Sequence, residues 1–317
     1  MRLALLMALV SRTAGLAVPA ATRRQLLVEG AAAAAVAANV PAALAAPQAT
    51  SAVLRDGSTF PLVSFGFQVY GDEEAKQYAT MALDTGYRNF FASVLAGNER
   101  GFTKALKASK IDRSQVYVCG SVVSNRARGY AGAYEATMRG GLASLDKLGP
   151  MDMLMLDYPA GDAESIRGQW RAFEDLQKQG AAKTLAVSNF SPTQLDAVMV
   201  TTADWKPFSL PAVNQLPLGV GYDAANNRNL LAENAKRGIL VQAWSPLRVL
   251  SKQAKAACAS VGSKHGKTAQ QIALKWVVQR GAAFTTQTKS EQHCRETIDI
   301  FDFELSPEEL ATLDTVA

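Results

Sequence analysis

The folded part of this chain is predicted to be an α/β protein, a closed (β/α)8 TIM barrel. Three observations in the 317-residue sequence favour this fold. Eight short apolar segments of strand length recur along residues 62–287, amphipathic helical patterns separate them, and no Pro-, Gly- or Ser-rich linker interrupts the alternation. Because parallel strands need a crossover helix between them, eight such alternations favour one closed parallel barrel over an open sheet.

Residues 1–46 are predicted to be a two-part targeting leader, separate from a folded domain at 47–317. Residues 1–10 form an apolar run behind Arg2, typical of a secretory signal, and this run is shorter than the roughly 20 residues of a membrane-spanning helix. A twin-arginine pair, Arg23 and Arg24, then leads into an alanine-rich stretch that ends in a small-x-small cleavage site at residues 43–45.

Two stacked signals resemble the leader of a thylakoid-lumen protein in an alga with a complex plastid. The predicted location is therefore the plastid thylakoid lumen. A bacterial periplasm is the alternative, although a periplasmic protein needs only one signal. A disordered alanine-rich tail or a single transmembrane anchor would also explain the composition of this segment.

Charge, histidine and cysteine counts argue against several classes of function. The formal net charge is +5, and removing the leader takes away four positive charges and one negative charge, which leaves +2. No basic block remains, so nucleic acid is not an expected partner. Two histidines and three cysteines without CxxC spacing predict neither a metal site nor a disulfide framework. No transmembrane span is expected in residues 47–317.

The folded domain is predicted to begin with a β-hairpin at residues 53–60, around the Asp56-Gly57 turn. The predicted barrel strands are Leu62–Gly66, Asn89–Ser93, Val116–Ser121, Met153–Asp157, Lys183–Ser188, Ala212–Gln215, Leu240–Ala243 and Ala283–Gln287. Apolar residues at i, i+3, i+4 spacing predict helices such as Glu73–Thr85, Ala133–Leu148, Ala163–Gln179 and Ala269–Gln279. In such a barrel the chemistry lies on the loops after the carboxyl ends of the strands.

Six motifs stand in order along the domain: Asp84-Thr85-Gly86-Tyr87-Arg88, Gly97-Asn98-Glu99, Leu185-Ala186-Val187-Ser188-Asn189-Phe190-Ser191-Pro192, Ala212-Val213-Asn214-Gln215, Ala243-Trp244-Ser245-Pro246-Leu247 and Ile298-Asp299-Ile300-Phe301-Asp302-Phe303-Glu304-Leu305. In this order and spacing they resemble the aldo-keto reductases, NADPH-dependent oxidoreductases built on this barrel. The resemblance covers residues 62–313. It implies that the hairpin is a plug that closes the bottom of the barrel.

The resemblance also implies where catalytic groups should stand. Carbonyl reduction by hydride transfer needs a proton donor, dipoles aimed at the developing oxyanion and a nicotinamide within reach. The family supplies an aspartate, a tyrosine, a lysine and a histidine. At the matching positions this chain has Phe91, Ala96, Ser121 and Asp157.

The loss of rate expected from each replacement indicates what the four replacements mean together. Loss of a positioned general acid costs on the order of 10²- to 10⁴-fold in rate, and loss of an oxyanion donor about 10²- to 10³-fold. The sequence therefore predicts a pseudoenzyme. The alternative is a rescued reaction, in which Asp157 with a raised pKa, Tyr70 or Tyr87 supplies the proton.

The cofactor positions implied by the resemblance are half retained. The residues matching contacts to the nicotinamide and pyrophosphate are Ser188, Asn189, Gln215, Trp244, Ser245 and Leu247. A structural role at strand ends is the alternative for the polar ones. The vestigial adenosine-end positions are Gln287, Thr288, His293 and Glu296.

Two family cations that bind the 2′-phosphate are replaced, by Gln287 and His293, and charge-assisted phosphate contacts are the strong ones. We therefore expect no cofactor, or weakly bound NADP(H), with Lys289 as a partial substitute. Phe67 is expected to crowd the nicotinamide ring.

Three functions remain open from the sequence. The first is a non-catalytic barrel kept as a binding or structural subunit, with a thylakoid membrane protein complex as its partner. The second is an NAD(P)H-dependent oxidoreductase with an altered active site. The third is a small-ligand binder, because Ser121 and Ala96 leave volume at the barrel mouth while Phe91 and Phe67 make it more apolar.

Overall fold

The computed structural model describes residues 50–316, and these form a closed barrel of eight parallel strands preceded by a hairpin. The hairpin strands are β1 (Ser51–Val53) and β2 (Thr59–Pro61). The barrel strands are β3 (Val63–Gly66), β4 (Asn89–Phe91), β5 (Tyr117–Val122), β6 (Met151–Asp157), β7 (Ala182–Ser188), β8 (Val213–Pro217), β9 (Leu240–Trp244) and β10 (Ala283–Thr286). They follow one another in chain order, and β10 closes on β3.

Ten helices of the described residues cover the barrel. They are α1 (Asp72–Thr85), α2 (Glu99–Ala108), α3 (Tyr130–Leu148), α4 (Ala163–Lys178), α5 (Pro192–Met199), α6 (Ala224–Ala235), α7 (Lys252–His265), α8 (Ala269–Gln279), α9 (Glu291–Ile298) and α10 (Pro307–Asp314). The predicted fold is confirmed, and each predicted strand agrees with an observed one to within two residues at either end. No helix in residues 50–316 is long and apolar enough to cross a membrane.

Strand β6 shows how alternation builds the two sides of the barrel. Met153 and Met155 are fully buried in the cluster that also holds Phe60 and Phe91. Leu154 packs in the other cluster, which includes the buried aromatic residues of α4. Because side chains alternate along a strand, Asp157 shares the face of Met153 and Met155 and therefore points into the barrel, at its carboxyl end.

The hairpin covers the opposite, amino-terminal end of the barrel. Phe60 is fully buried and packs edge-to-face on Tyr117 at the start of β5, with the ring centroids 5.2 Å apart. The Asp56 carboxylate accepts a hydrogen bond from Thr184 of β7 at 2.6 Å. The hairpin therefore lies where the family resemblance implied a plug.

The hairpin loop is longer than the turn that was predicted at Asp56-Gly57. The strands pair Ser51 with Pro61, so the loop spans residues 54–58. The Asp56 carboxylate accepts hydrogen bonds from the backbone N–H and hydroxyl of Ser58, and Gly57 supplies a positive φ of 81°. These local bonds stabilise the wider loop, which the dipeptide alone did not indicate.

Candidate functional site

A cavity of about 530 Å³ opens at the carboxyl ends of the barrel strands. Residues of six strands line it. Five are the last residues of their strands, namely Phe91, Asp157, Ser188, Trp244 and Thr286, and the sixth is Gln215 of β8. A second cavity of about 320 Å³ continues towards the start of α9. The two share Leu247, Thr286 and Gln287, so they form one cleft along the barrel mouth.

A chain of hydrogen bonds orders the polar wall of the larger cavity. Trp244 Nε1 donates to Asn189 Oδ1 at 3.1 Å, and Asn189 Nδ2 donates to Ser188 Oγ at 2.9 Å. The same amide nitrogen lies 3.4 Å from Asp157 Oδ1. On the next strand, Gln215 Nε2 donates to Gln242 Oε1 at 2.9 Å. The indole and the amides are therefore held in place by one another.

Asp157 is the acidic group of this wall. The residue is 9% exposed, and its neighbour across the β6–β7 ladder is Ser188. Burial raises the pKa of Asp157, and hydrogen bonds from Ser188 and Asn189 offset only part of that effect. A carboxyl group with a raised pKa in a cleft is a candidate for function.

Backbone strain is concentrated at the same end of the barrel. In the described chain, four non-glycine residues have a positive φ, and three of them directly follow barrel strands: Tyr158 (66°), Asn189 (63°) and Ser245 (51°). This conformation costs a non-glycine residue about 1–2 kcal/mol, and it persists only where the surroundings enforce it. All three residues line the larger cavity, which marks the cleft as the functional end of the barrel.

Comparisons with known proteins agree with this architecture. The sequence pattern of the Aldo/keto reductase family matches residues 63–317. An aldo-keto reductase of Mycobacterium sp. (strain JLS) is 32% identical over 265 residues, which cover 83% of this chain and 91% of that protein. The chain belongs to the aldo/keto reductase family.

Solved structures of the family superpose on the same barrel. An aldo/keto reductase from Brucella melitensis has a TM-score of 0.73 at 27% identity and covers 84% of this chain and 99% of that one. MGS-M4, an aldo-keto reductase from a Medee basin deep-sea metagenome library, has a TM-score of 0.74 at 26% identity, with coverages of 84% and 94%.

The four positions matched to the reductase tetrad are only partly gathered at the cleft. Phe91 and Asp157 line the larger cavity. Ser121 is fully buried, and its Oγ accepts a hydrogen bond from the Val94 N–H at 3.2 Å, while Ala96 is half-buried in the turn after β4. Neither lines the larger cavity. The expectation that Ser121 and Ala96 leave volume at the barrel mouth stays a prediction, and the Ser121 hydroxyl is engaged by the Val94 N–H.

The two tyrosines proposed as substitute acids do not line either cavity. Tyr70 packs against Tyr78 with ring centroids 4.8 Å apart, and burial raises its pKa to about 12. Tyr87 lies in the core, and burial raises its pKa as well. Tyr158, which was not among the predicted site residues, does line the larger cavity. Its place directly after Asp157, at a strand end, was the available signal.

Phe67 does not crowd the larger cavity. The side chain is fully buried between Phe90 and Phe102, with ring centroids 6.1 Å and 5.4 Å away. Gln68 and Val69 line the cavity in its stead. The residue directly follows β3.

The ten predicted cofactor positions all lie along the cleft. Ser188, Asn189, Gln215, Trp244, Ser245, Leu247 and Gln287 line the larger cavity. Thr288, His293 and Glu296 line the smaller one, together with Leu247 and Gln287. The barrel therefore brings together residues from the ends of β7 to β10 and from α9, as the family resemblance implied.

The residues at the far end of the cleft do not fit the 2′-phosphate of NADPH. His293 is the basic residue in the lining of the smaller cavity, and the Glu296 carboxylate lies in the same wall. Lys289 was expected to compensate, but its ammonium group pairs with Glu74 at 2.7 Å. The local sequence does not reveal this carboxylate of α1, which competes for the lysine. A dianionic phosphate here would lack the fixed cations that make such contacts strong.

Within residues 50–316, no three His, Cys, Asp or Glu side chains are grouped so that they could hold a metal ion.

Proposed function

We propose that this protein is a ligand-binding member of the aldo/keto reductase family that does not reduce carbonyl compounds at the family's usual rate. The observation that carries the proposal is the composition of the cavity wall. Of the four positions matched to the tetrad, only Phe91 and Asp157 line the cavity. Neither supplies a phenol activated by a neighbouring lysine.

The distribution of polar groups supports this proposal. Ser121 replaces the lysine, and its buried hydroxyl is engaged by the Val94 N–H. Asp157 replaces the histidine with a group that carries negative charge when ionised, and such a charge opposes the oxyanion that forms during carbonyl reduction. When the acid and the oxyanion donor are both removed, little rate acceleration remains beyond that from holding the reactants close together. The separate effects of the two losses do not add.

The cavity itself supports a binding role. A volume of about 530 Å³ lies within the range typical of small-molecule sites. The Trp244–Asn189–Ser188 chain fixes polar groups in the wall, and a fixed wall binds a ligand at a lower entropic cost. The barrel therefore retains a pocket whose reductive chemistry has been removed.

The test is a titration combined with a turnover assay. Purified protein is titrated with NADPH and NADH while the fluorescence of Trp244, which lines the cavity, is followed. We expect no saturable quenching below millimolar nucleotide and no oxidation of NADPH with a simple aromatic aldehyde. A Trp244→Phe variant controls for quenching of the other three tryptophans. Turnover at a rate typical of reductases would overturn the proposal.

An oxidoreductase with an altered proton donor is the second candidate. It is favoured by Tyr158 and Asp157, which are adjacent in sequence and both line the larger cavity. If aldehyde reduction is observed, this candidate expects Tyr158→Phe or Asp157→Asn to abolish it. Activity that survives both substitutions would exclude the candidate.

We propose further that the protein acts in the plastid thylakoid lumen, with a membrane protein complex as its partner. The support is the stacked signals of residues 1–46, which lie outside the described residues. A fluorescent protein fused behind this leader is expected to accumulate in the lumen, and replacing Arg23 and Arg24 by lysine is expected to block that accumulation. Export by bacterial cells alone would favour the periplasm. A pull-down from detergent-solubilised thylakoids tests the partner.

A further inference from the structure

The larger cavity contains a carboxylate, that of Asp157, which has no ionic partner among residues 50–316. Asp157 is 9% exposed, and its hydrogen bonds come from neutral groups, the Ser188 hydroxyl and the Asn189 amide. Within the part of the chain that the structure describes, no lysine or arginine forms an ion pair with it. A poorly solvated carboxylate of this kind gains most from a bound cation, because such a ligand offsets its lost hydration.

Aromatic rings line the same cavity. Phe91, Tyr158 and Trp244 all contribute to its wall. The indole of Trp244 is held by its hydrogen bond to Asn189, and Phe91 is 2% exposed, so both rings are fixed in orientation. Aromatic faces attract cations, with tryptophan the strongest of the three. The wall therefore combines two independent features that favour a positively charged ligand.

The rim of the cavity is apolar. Val69 and Leu95 are 62% and 63% exposed, and both line the cavity. Exposed apolar side chains at the mouth of a pocket favour a ligand that carries a hydrocarbon part next to its polar end.

Arg248 also lines the cavity, and its positive charge would repel a cationic ligand. Its exposed position weakens that repulsion. The residue is exposed on the loop after β9, where water and salt screen its charge. Asp157 is buried, so its interaction with a ligand is screened much less. The deep part of the cavity is therefore electrostatically suited to a cation.

We propose that the cavity binds a small protonated amine with an apolar tail. The ammonium group donates to the Asp157 carboxylate and packs against the Trp244 indole, and the tail lies on Val69 and Leu95. This inference rests on the proposed function, a cavity that binds a ligand without reducing it, and it names the class of that ligand.

The test compares three probes of equal length and different charge. Hexylammonium, 1-hexanol and hexanoate are titrated into the purified protein by calorimetry. We expect hexylammonium to bind about tenfold or more tightly than 1-hexanol, because its contact with the carboxylate is charge-assisted, and hexanoate to bind most weakly.

Asp157→Asn isolates the carboxylate. This variant is expected to lower hexylammonium affinity about tenfold or more while changing 1-hexanol affinity by less than about twofold. Retained 1-hexanol binding shows that the cavity is still folded. The matched control is Asp146→Asn, an exposed carboxylate on α3, which should change neither affinity.

Three results would overturn the inference: equal affinities for hexylammonium and 1-hexanol, no binding of any probe, or an unchanged hexylammonium affinity in Asp157→Asn. NADPH oxidation with an aldehyde is measured on the same samples. If the protein oxidises NADPH with an aldehyde and also prefers the amine, only the proposal that it does not reduce carbonyl compounds is wrong. If the protein neither oxidises NADPH nor prefers hexylammonium, only the inference about amines is wrong.

Discussion

Strand β6 carries an aspartate near each of its ends, and the surroundings shift the pKa values of the two in opposite directions. Asp152, at the amino end, accepts hydrogen bonds from Arg113 at 2.8 Å, Lys183 at 2.9 Å and the Val118 N–H at 3.0 Å. Burial opposes its ionisation, but these partners outweigh burial and lower its pKa. Asp157, at the carboxyl end, has only neutral partners in the described part of the chain, and burial raises its pKa.

The difference separates the stabilising end of the barrel from its functional end. The amino end is closed by Phe60 and by the hydrogen bond that Thr184 of β7 donates to Asp56 of the hairpin. The carboxyl end has strained backbone at Tyr158, Asn189 and Ser245. Its buried carboxylate, Asp157, is hydrogen-bonded by the neutral side chains of Ser188 and Asn189. A barrel of this type keeps its chemistry at the carboxyl end, so polar groups there are selected for ligands at a cost in stability.

The largest expected effect concerns the plug. Phe60→Ala removes a fully buried ring from the amino end and is expected to lower the free energy of unfolding by about 3–5 kcal/mol, measured by urea denaturation. Val53→Ala, at an exposed position of β1, is the control and should change it by less than about 0.5 kcal/mol. A small effect of Phe60→Ala would show that the plug is dispensable for stability.

The next effect concerns the phosphate end of the cleft. Gln287→Lys combined with His293→Arg is expected to tighten NADPH binding about tenfold or more by supplying charge-assisted contacts. NADH lacks the 2′-phosphate, so its affinity should change little, and this comparison is the internal control. Equal gains for both nucleotides would mean that the added charges act non-specifically.

Asp152→Asn is expected to be destabilising at neutral pH. The folded-state pKa of Asp152 is lowered, so its stabilisation is present above the unfolded pKa of about 3.9 and is lost as the pH falls through the folded value. Arg113 and Lys183 are more than a third exposed, so solvent screening limits the loss to about 1–2 kcal/mol. Denaturation at pH 7 and pH 3 should show the difference shrinking in acid.

Asp157→Asn is expected to have the smallest effect, and the opposite sign. Its folded-state pKa is raised, so the wild-type protein loses stability as the pH rises from about 3.9 through the folded value. At pH 7 the variant should be as stable as the wild type or more stable by up to about 1 kcal/mol, with no difference at pH 3. Destabilisation as large as that of Asp152→Asn would contradict the assignment of the two ends.

The barrel and the position of the cleft could both be predicted from the sequence. Alternating apolar runs predicted the strands to within two residues, because strand and helix periodicities are local properties of the chain. Once the strands are known, their carboxyl ends lie together, so positions such as Ser188, Gln215 and Trp244 could be placed around one cavity.

Which side chains reach that cavity depends on the packing of the folded barrel and could not be predicted from local patterns. Ser121 accepts a hydrogen bond from the Val94 N–H and does not line the cavity, Lys289 pairs with Glu74 from a helix that is distant in the sequence, and Phe67 packs into the core. Tyr158 enters the wall through a left-handed backbone conformation. The position of each of these side chains depends on a partner or a turn that the local sequence pattern does not reveal. The physical reason is that the packing of the whole barrel sets the direction of a side chain near a strand end.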